Sequence, residues 1–437
     1  MKEKNRKSLK DTALAVAFLP LGVLLGVLLV EWTEGEAAIP EAGALEASSS
    51  LKSEAPPLVG VDTTASGYNS EDAPDDEEES KPKPTLAPSD KIEVVSNADV
   101  PMEKIGGLGD AENRLPDQEQ APQEAIESCD EFFLKKMGDS SPLIAKEGPK
   151  KSGFSVEFDG LVNPWSLMTL TRLPDDLVTL NVIEGSDGRS FTFESDHGEI
   201  TSAGATAASW QAPSDPGIYC VRILQEDSEN IMCLHVAVMK PWDGESETLN
   251  GYKIGTYQDK PYRDNPRYKK PRGFIEVTEE NQDTWVSPHL QLSQFVCKQK
   301  ADFPKYMLLD SRLLLKLEKL IEELEEGGRE ASHLYISSGY RTPAYNVALG
   351  NTTSYSRHLY GDAADLFVDS NRDGKLDDLD FSGSTDDGDA VMIQKAVESV
   401  SGENRLFKGG LGFYSSANYR NPFIHIDTRG YEARWKK

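Results

Sequence analysis

Ser356-Arg357-His358-Leu359-Tyr360-Gly361-Asp362-Ala363-Ala364-Asp365 is followed some sixty residues later by Phe423-Ile424-His425-Ile426-Asp427. His358 and Asp365, seven positions apart, and His425 from a later strand offer two imidazoles and one carboxylate. That is a donor set for a tetrahedral zinc with one position open, and the open position marks a catalytic rather than a structural site. Gly361 and Ala363 suit this reading, because small residues let the chain fold back between ligands without filling the metal pocket. Asp427 projects from the same strand face as His425, since side chains alternate along a strand. It would orient an imidazole, take part in proton transfer, or replace His425 as a ligand.

The pattern Ser-x-His-x-x-Gly-x-Ala-x-Asp does not stand alone. With Ser338-Gly339-Tyr340-Arg341-Thr342-Pro343 and Gly409-Gly410-Leu411-Gly412-Phe413-Tyr414 ahead of His425-Ile426-Asp427-Thr428, it resembles the zinc peptidases of the D-Ala-D-Ala metallopeptidase and hedgehog-type fold. Within them it is most similar to the YcbK-like murein endopeptidases, over roughly residues 285–435, about one domain of chain. The resemblance implies an α+β zinc domain that hydrolyses peptide bonds of peptidoglycan, with His358, Asp365 and His425 on the zinc. It also implies a substrate role for Arg341, whose planar fork suits a carboxylate or a developing oxyanion, with Tyr340 beside it as a substrate-binding residue. One position departs from the pattern. Several relatives carry an acid three residues before the last zinc histidine as general base, and here that residue is Pro422. The base is then open between Asp427 and, less favourably placed, Asp362.

The whole chain has 437 residues and a formal net charge of -28. Length allows two or three domains, and the acidic balance without a basic patch argues against nucleic acid as a partner. Residues 12–30 carry no charge, and such a run as helix covers about 28 Å, close to the hydrocarbon thickness of a bilayer. Lysines and arginine precede it and glutamates follow. This predicts a single-pass anchor in the inner (cytoplasmic) membrane, with the bulk of the chain in the periplasm or outside the cell. A cleaved signal peptide is the alternative. Residues 33–125 are acidic and rich in Ala, Ser and Pro, which predicts a disordered tether of about 50 Å span.

The expected architecture is therefore multidomain. Residues 1–32 form the cytoplasmic tip and transmembrane anchor, 33–125 the disordered linker, 126–242 an all-β immunoglobulin-like sandwich, and 243–437 the zinc peptidase domain. The sandwich follows from short β-branched and alternating runs broken by Gly, Pro, Asp and Ser. Near its end, a hairpin turning at Glu226-Asp227 sets Cys220 opposite Cys233 and admits a cross-strand disulfide. Alternation puts both cysteines on a face with Arg222 and His235, away from Val221, Ile223 and Leu234. Residues 286–295 and 310–324 read as helices, the second burying Leu313, Leu314, Leu317, Leu320, Ile321 and Leu324 on one face with Gly327-Gly328 as its stop. Residues 334–337 read as a buried strand delivering Arg341 to its end, and the glycines near 410 as room for close substrate approach.

Between the zinc motifs, Asp369, Asn371, Asp373, the Lys375 carbonyl, Asp377 and Asp380 occupy positions 1, 3, 5, 7, 9 and 12 of an EF-hand-type loop, with Gly374 at position 6. Calcium (Ca2+) is the ion such a loop takes, here in a structural role. The combined expectation is a membrane-anchored Zn2+ hydrolase that acts on peptidoglycan cross-links. The alternatives are a D,D- or L,D-carboxypeptidase, and a zinc-containing wall-binding module without turnover.

Overall fold

The computed structural model describes residues 151–437 apart from 187, 352 and 420. The expected anchor at 12–30 and the acidic tether lie outside the described residues, as does the beginning of the 126–242 segment. Among the described residues, no helix is long and apolar enough to cross a membrane. The described chain is rich in strands with few helices, and all of it falls within one compact unit.

The first half forms two sheets. One has five strands in the order Leu161–Trp165, Lys151–Phe158, Leu177–Glu184, Ala207–Gln211, Glu199–Ser202, each antiparallel to its neighbour. The other orders Leu167–Arg172, Ile231–Val238, Gly217–Gln225 and Phe191–Ser195, with the first pair parallel. Alternate side chains such as Val156, Phe158, Trp165, Val178, Trp210, Val221, Ile223 and Leu234 are buried in a common core. Period-two patterning in the sequence accounts for this inward set.

The hairpin forms with a register different from the expected one. Cys220 faces His235 and Arg222 faces Cys233, because the turn takes in residues as far as Asn230, whose carbonyl accepts from Gln225 N at 3.1 Å. The extra turn residues displace the pairing by two, so the expected Cys220–Cys233 bond does not form. Cys220 is disulfide-bonded, and Cys233 keeps its thiol. Both cysteines do share a face with Arg222 and His235. That face is covered, since Trp285 packs against Cys233 and Leu167 and its carbonyl sits 2.8 Å from His235 Nδ1.

Residues 286–295 are not a helix. They form the short strands Trp285–Ser287 and Leu290–Gln291 followed by a 3-10 turn, Leu292–Phe295. Apolar spacing in so short a run fits either period, and Pro288 inside it cannot donate to a helical ladder. The second expected helix forms as Ser311–Glu326, capped by the Asp310 carboxylate on Arg312 N. Its six expected leucine and isoleucine positions are all buried, but so are Leu315, Lys316 and Glu318. Two bodies enclose the helix: the C-terminal domain and the strand Leu167–Arg172, where Ser311 Oγ donates to Thr169 O at 2.9 Å.

The C-terminal sheet orders Leu334–Ser338, Ala363–Val368, Phe423–Asp427, Gly410–Tyr414 and Ala433–Lys436. Neighbours are antiparallel except the last pair. The helix Asp387–Glu403 lies against this sheet and against Ser311–Glu326. The connector before residue 285 is bound to this domain: Gly273–Val277 pairs with Lys305–Met307, and Tyr257 Oη donates to Leu359 O at 2.7 Å.

Candidate metal centre

Strand pairing brings the separated motifs together. Asp365 sits directly opposite His425 and Ala363 opposite Asp427. His358 enters from the 3-10 turn Arg357–Tyr360, which Gly361 closes with φ 69°. A side chain at Gly361 would meet the Leu308 backbone at 2.4 Å, so both the backbone conformation and the space demand glycine.

His358 Nε2, His425 Nδ1 and Asp365 Oδ1 form a triangle with sides of 3.2, 2.8 and 3.3 Å. Ligands of a tetrahedral zinc at ordinary bond lengths stand about 3.3 Å apart, so the triangle fits the ion with a small expansion. The outer nitrogens decide the tautomers. His358 Nδ1 donates to Gly339 O at 2.7 Å, and His425 Nε2 to Asp427 Oδ2 at 3.1 Å. Both bare nitrogens then point into the triangle, together with a carboxylate oxygen. Three lone pairs converging in a buried space repel one another unless a cation lies between them, and this donor set suits zinc.

The surrounding shell is equally specific. Arg341 at the end of Leu334–Ser338 donates from Nη2 to Asp365 Oδ2 at 2.6 Å and from Nε to Ser338 Oγ at 2.7 Å, while Nη1 has no partner among the described residues. Burial alone would raise the Asp365 carboxyl, but His358 and Arg341 hold it well below the usual carboxylate range. Asp427 is fully buried and bonded to His425, to Gly410 N at 2.7 Å and to Arg429 through Nη2 at 2.6 Å. Burial would raise its carboxyl too, yet Arg429 and His425 keep it ionised. Its oxygens lie behind His425, on the side of the ring away from the triangle. Asp362 is also taken: buried, it accepts Arg357 Nε and Nη2 at 2.9 and 2.6 Å.

Other expected residues land elsewhere. Tyr340, read as substrate-binding, is 1% exposed and its hydroxyl meets Tyr257 Oη at 3.0 Å, so it belongs to the core. The glycines near the closing strands serve the fold: side chains at Gly410 and Gly412 would collide with Asp427 Oδ2 and the Trp435 indole at 2.3 Å. Trp435 in turn packs on His425 at 5.0 Å.

Of the expected calcium ligands among the described residues, Asp380 groups with Asp378 and Asp389, while Asp377 has its carboxyl raised by burial and by the nearby charges of Asp369 and Asp373. Backbone amides shape the loop, with Asp373 N and Gly374 N donating to Asp369 and Ser370 N to Asp377.

The sequence reading passed over Lys298 and Lys316. Lys298 is close enough to Arg341 and Asp365 for both charges to act on it, and burial with Arg341 lowers its pKa. It has no ion-pair partner among the described residues, only the Tyr335 ring at 5.8 Å. Lys316, 1% exposed, donates from Nζ to Asp427 O at 3.0 Å and Phe407 O at 2.9 Å. No periodic signal marks either one, because a lysine among polar neighbours reads as solvated surface. His289 and His333 lie outside the metal group, on Glu318 at 2.7 Å and on Asp369 O at 2.9 Å.

No curated protein matches the chain. Residues 288–398 match the family model described as Peptidase M15, a span that includes Arg341, His358 and Asp365 and ends before His425. With the converging histidines and aspartate of the same domain, this match identifies the C-terminal part of the chain as a domain of the peptidase M15, D-Ala-D-Ala metallopeptidase-like family.

Proposed function

We propose that this protein is a zinc peptidase that hydrolyses the peptide cross-links of peptidoglycan. The observation carrying this reading is the buried triangle of His358 Nε2, Asp365 Oδ1 and His425 Nδ1 inside an M15 domain, with both imidazole tautomers turned inward by Gly339 O and Asp427. Zinc supplies Lewis acidity there when bound. Arg341 fixes Asp365 with one arm of its fork, and its unpartnered Nη1 is the group that would hold a substrate oxygen as charge develops. Asp427 orients His425, and Arg429 keeps Asp427 ionised for that task. Pro422 leaves the position of the relatives' acid without a proton-accepting group.

The test is digestion of purified sacculi by the full chain in detergent, with and without zinc, beside His358→Ala. Zinc-dependent loss of cross-linked muropeptides, absent in the variant, is the expected outcome. One zinc per chain with no new products would sink the enzyme reading in favour of a wall-binding module. A carboxypeptidase is the second reading. It is favoured by Lys298 beside Arg341, since two cations suit a free stem carboxylate, and release of single amino acids without loss of cross-links would establish it.

For the rest of the chain we propose an inner-membrane anchor at residues 12–30, an acidic tether to about residue 125, an immunoglobulin-type module up to 242 and the zinc domain from 243. The charge asymmetry around the apolar run supports the orientation. Deleting residues 12–30 is expected to move the protein from the membrane pellet to the soluble fraction; unchanged pelleting would remove the anchor.

A further inference from the structure

The acidic chain conceals a basic cavity, set apart from the metal triangle, between the β-sheets of the first half and the C-terminal domain. It measures about 470 Å³, within the size of small-ligand sites. Five cations line it, Arg172, Arg267, Lys269, Arg272 and Arg312, against two carboxylates, Asp159 and Asp310. Three positive charges are thus in excess at one place in a protein of net charge -28. Both carboxylates are already engaged: Asp159 by Arg172 at 2.8 Å, and Asp310 by Arg312. Lys269 has no partner among the described residues, and Arg272, itself exposed, meets the half-buried Asp176 only at 3.7 Å. Arg267 donates to the Thr428 carbonyl, which neutralises nothing.

Tyr360 lines the cavity with its ring, while its hydroxyl is buried away from water. The first turn of the helix Ser311–Glu326 also faces the cavity through Ser311 and Arg312, adding the positive end of a helix dipole. Burial and the Arg312 guanidinium together depress Arg267 below its ordinary value. Asp310 and Asp362 pull the other way without restoring it.

We propose that this cavity is a binding site for a phosphate-bearing anion. Cations from three segments of the chain line the space, and several guanidinium forks suit a tetrahedral oxyanion of more than one negative charge better than a planar monoanionic carboxylate. The chemistry is shared by a soluble phosphate ester and by an anionic lipid headgroup. Since Arg172 and Met239 come from the sheets and Arg267, Arg312 and Tyr360 from the C-terminal domain, an occupant would tie the two together next to the turn that carries His358.

The experiment is calorimetric titration of the full chain in detergent with inorganic pyrophosphate, repeated with Lys269→Glu/Arg272→Glu and Arg341→Ala. Lys269 and Arg272 are exposed, so reversing them leaves the core alone, and melting curves check that each variant folds. Saturable binding is expected, weakened at least about tenfold by the double reversal, kept in Arg341→Ala and not displaced by acetate. Displacement by phosphatidylglycerol in mixed micelles would assign the headgroup as the source, and its failure a soluble phosphate. No binding at millimolar pyrophosphate, affinity unchanged by the double reversal, or loss only in Arg341→Ala would each overturn the site.

Discussion

Asp427 shows how a single carboxylate is assigned by what already holds it. Its oxygens are shared among Arg429, Gly410 N and His425 Nε2, so any effect on a bound zinc would pass through the imidazole. Asp427→Asn keeps the shape but loses the charge that fixes the His425 tautomer. Zinc affinity is expected to fall about 10- to 100-fold, read by competitive titration with a chromophoric chelator; unchanged affinity would remove Asp427 from an orienting role. Both carboxylates considered as bases in the sequence are buried in arginine pairs. Nothing local in the chain announces those pairs, since Arg429 and Arg357 are as common in surface loops as in a core.

At the scale of the element, the helix Ser311–Glu326 carries the clearest signal in the chain and also its largest surprise. The leucine stripe is legible because a period of 3.6 returns residues to one face. Burial of Lys316 and Glu318 is not, because charged positions read as the solvated side until a second body covers them. Desolvation lowers the Lys316 pKa from 10.5 to about 8. The unfolded chain therefore holds this proton more tightly than the folded one, and stability attributable to Lys316 rises as pH climbs from about 8 toward 10.5. Below that window its burial costs on the order of 3 kcal/mol. Lys316→Met, compared with the parent by urea unfolding at pH 7.5 and 9.5, is expected to abolish this rise; parallel pH dependence in both proteins would disprove it.

Across the whole molecule, the β-sheets and the C-terminal domain share a continuous core. They are joined by the Lys240–Pro241 pairing with Gly273–Val277, by Ser311 on Thr169 and by His235 on Trp285. Domains linked so closely are expected to unfold together. Urea curves of the full chain followed by tryptophan fluorescence and by far-UV circular dichroism should coincide in one transition; two separated transitions would show that the halves are stable independently.

The sequence by itself determined the His358, Asp365 and His425 trio, the strand that leads to Arg341, the capped leucine helix and the β-character of the first half. Each of these rests on a local rule: ligand chemistry at a set spacing, or side-chain periodicity along one element. Only the tertiary structure decided the two-residue displacement of the cysteine hairpin, the core position of Tyr340, the grouping of Asp380 with Asp378 and Asp389 and the non-helical course of residues 286–295. It alone placed Lys298 beside Arg341 and gathered the basic cavity. These depend on turn length and on which surfaces meet across the chain. Contacts between residues a hundred or more positions apart leave no period in the sequence to read.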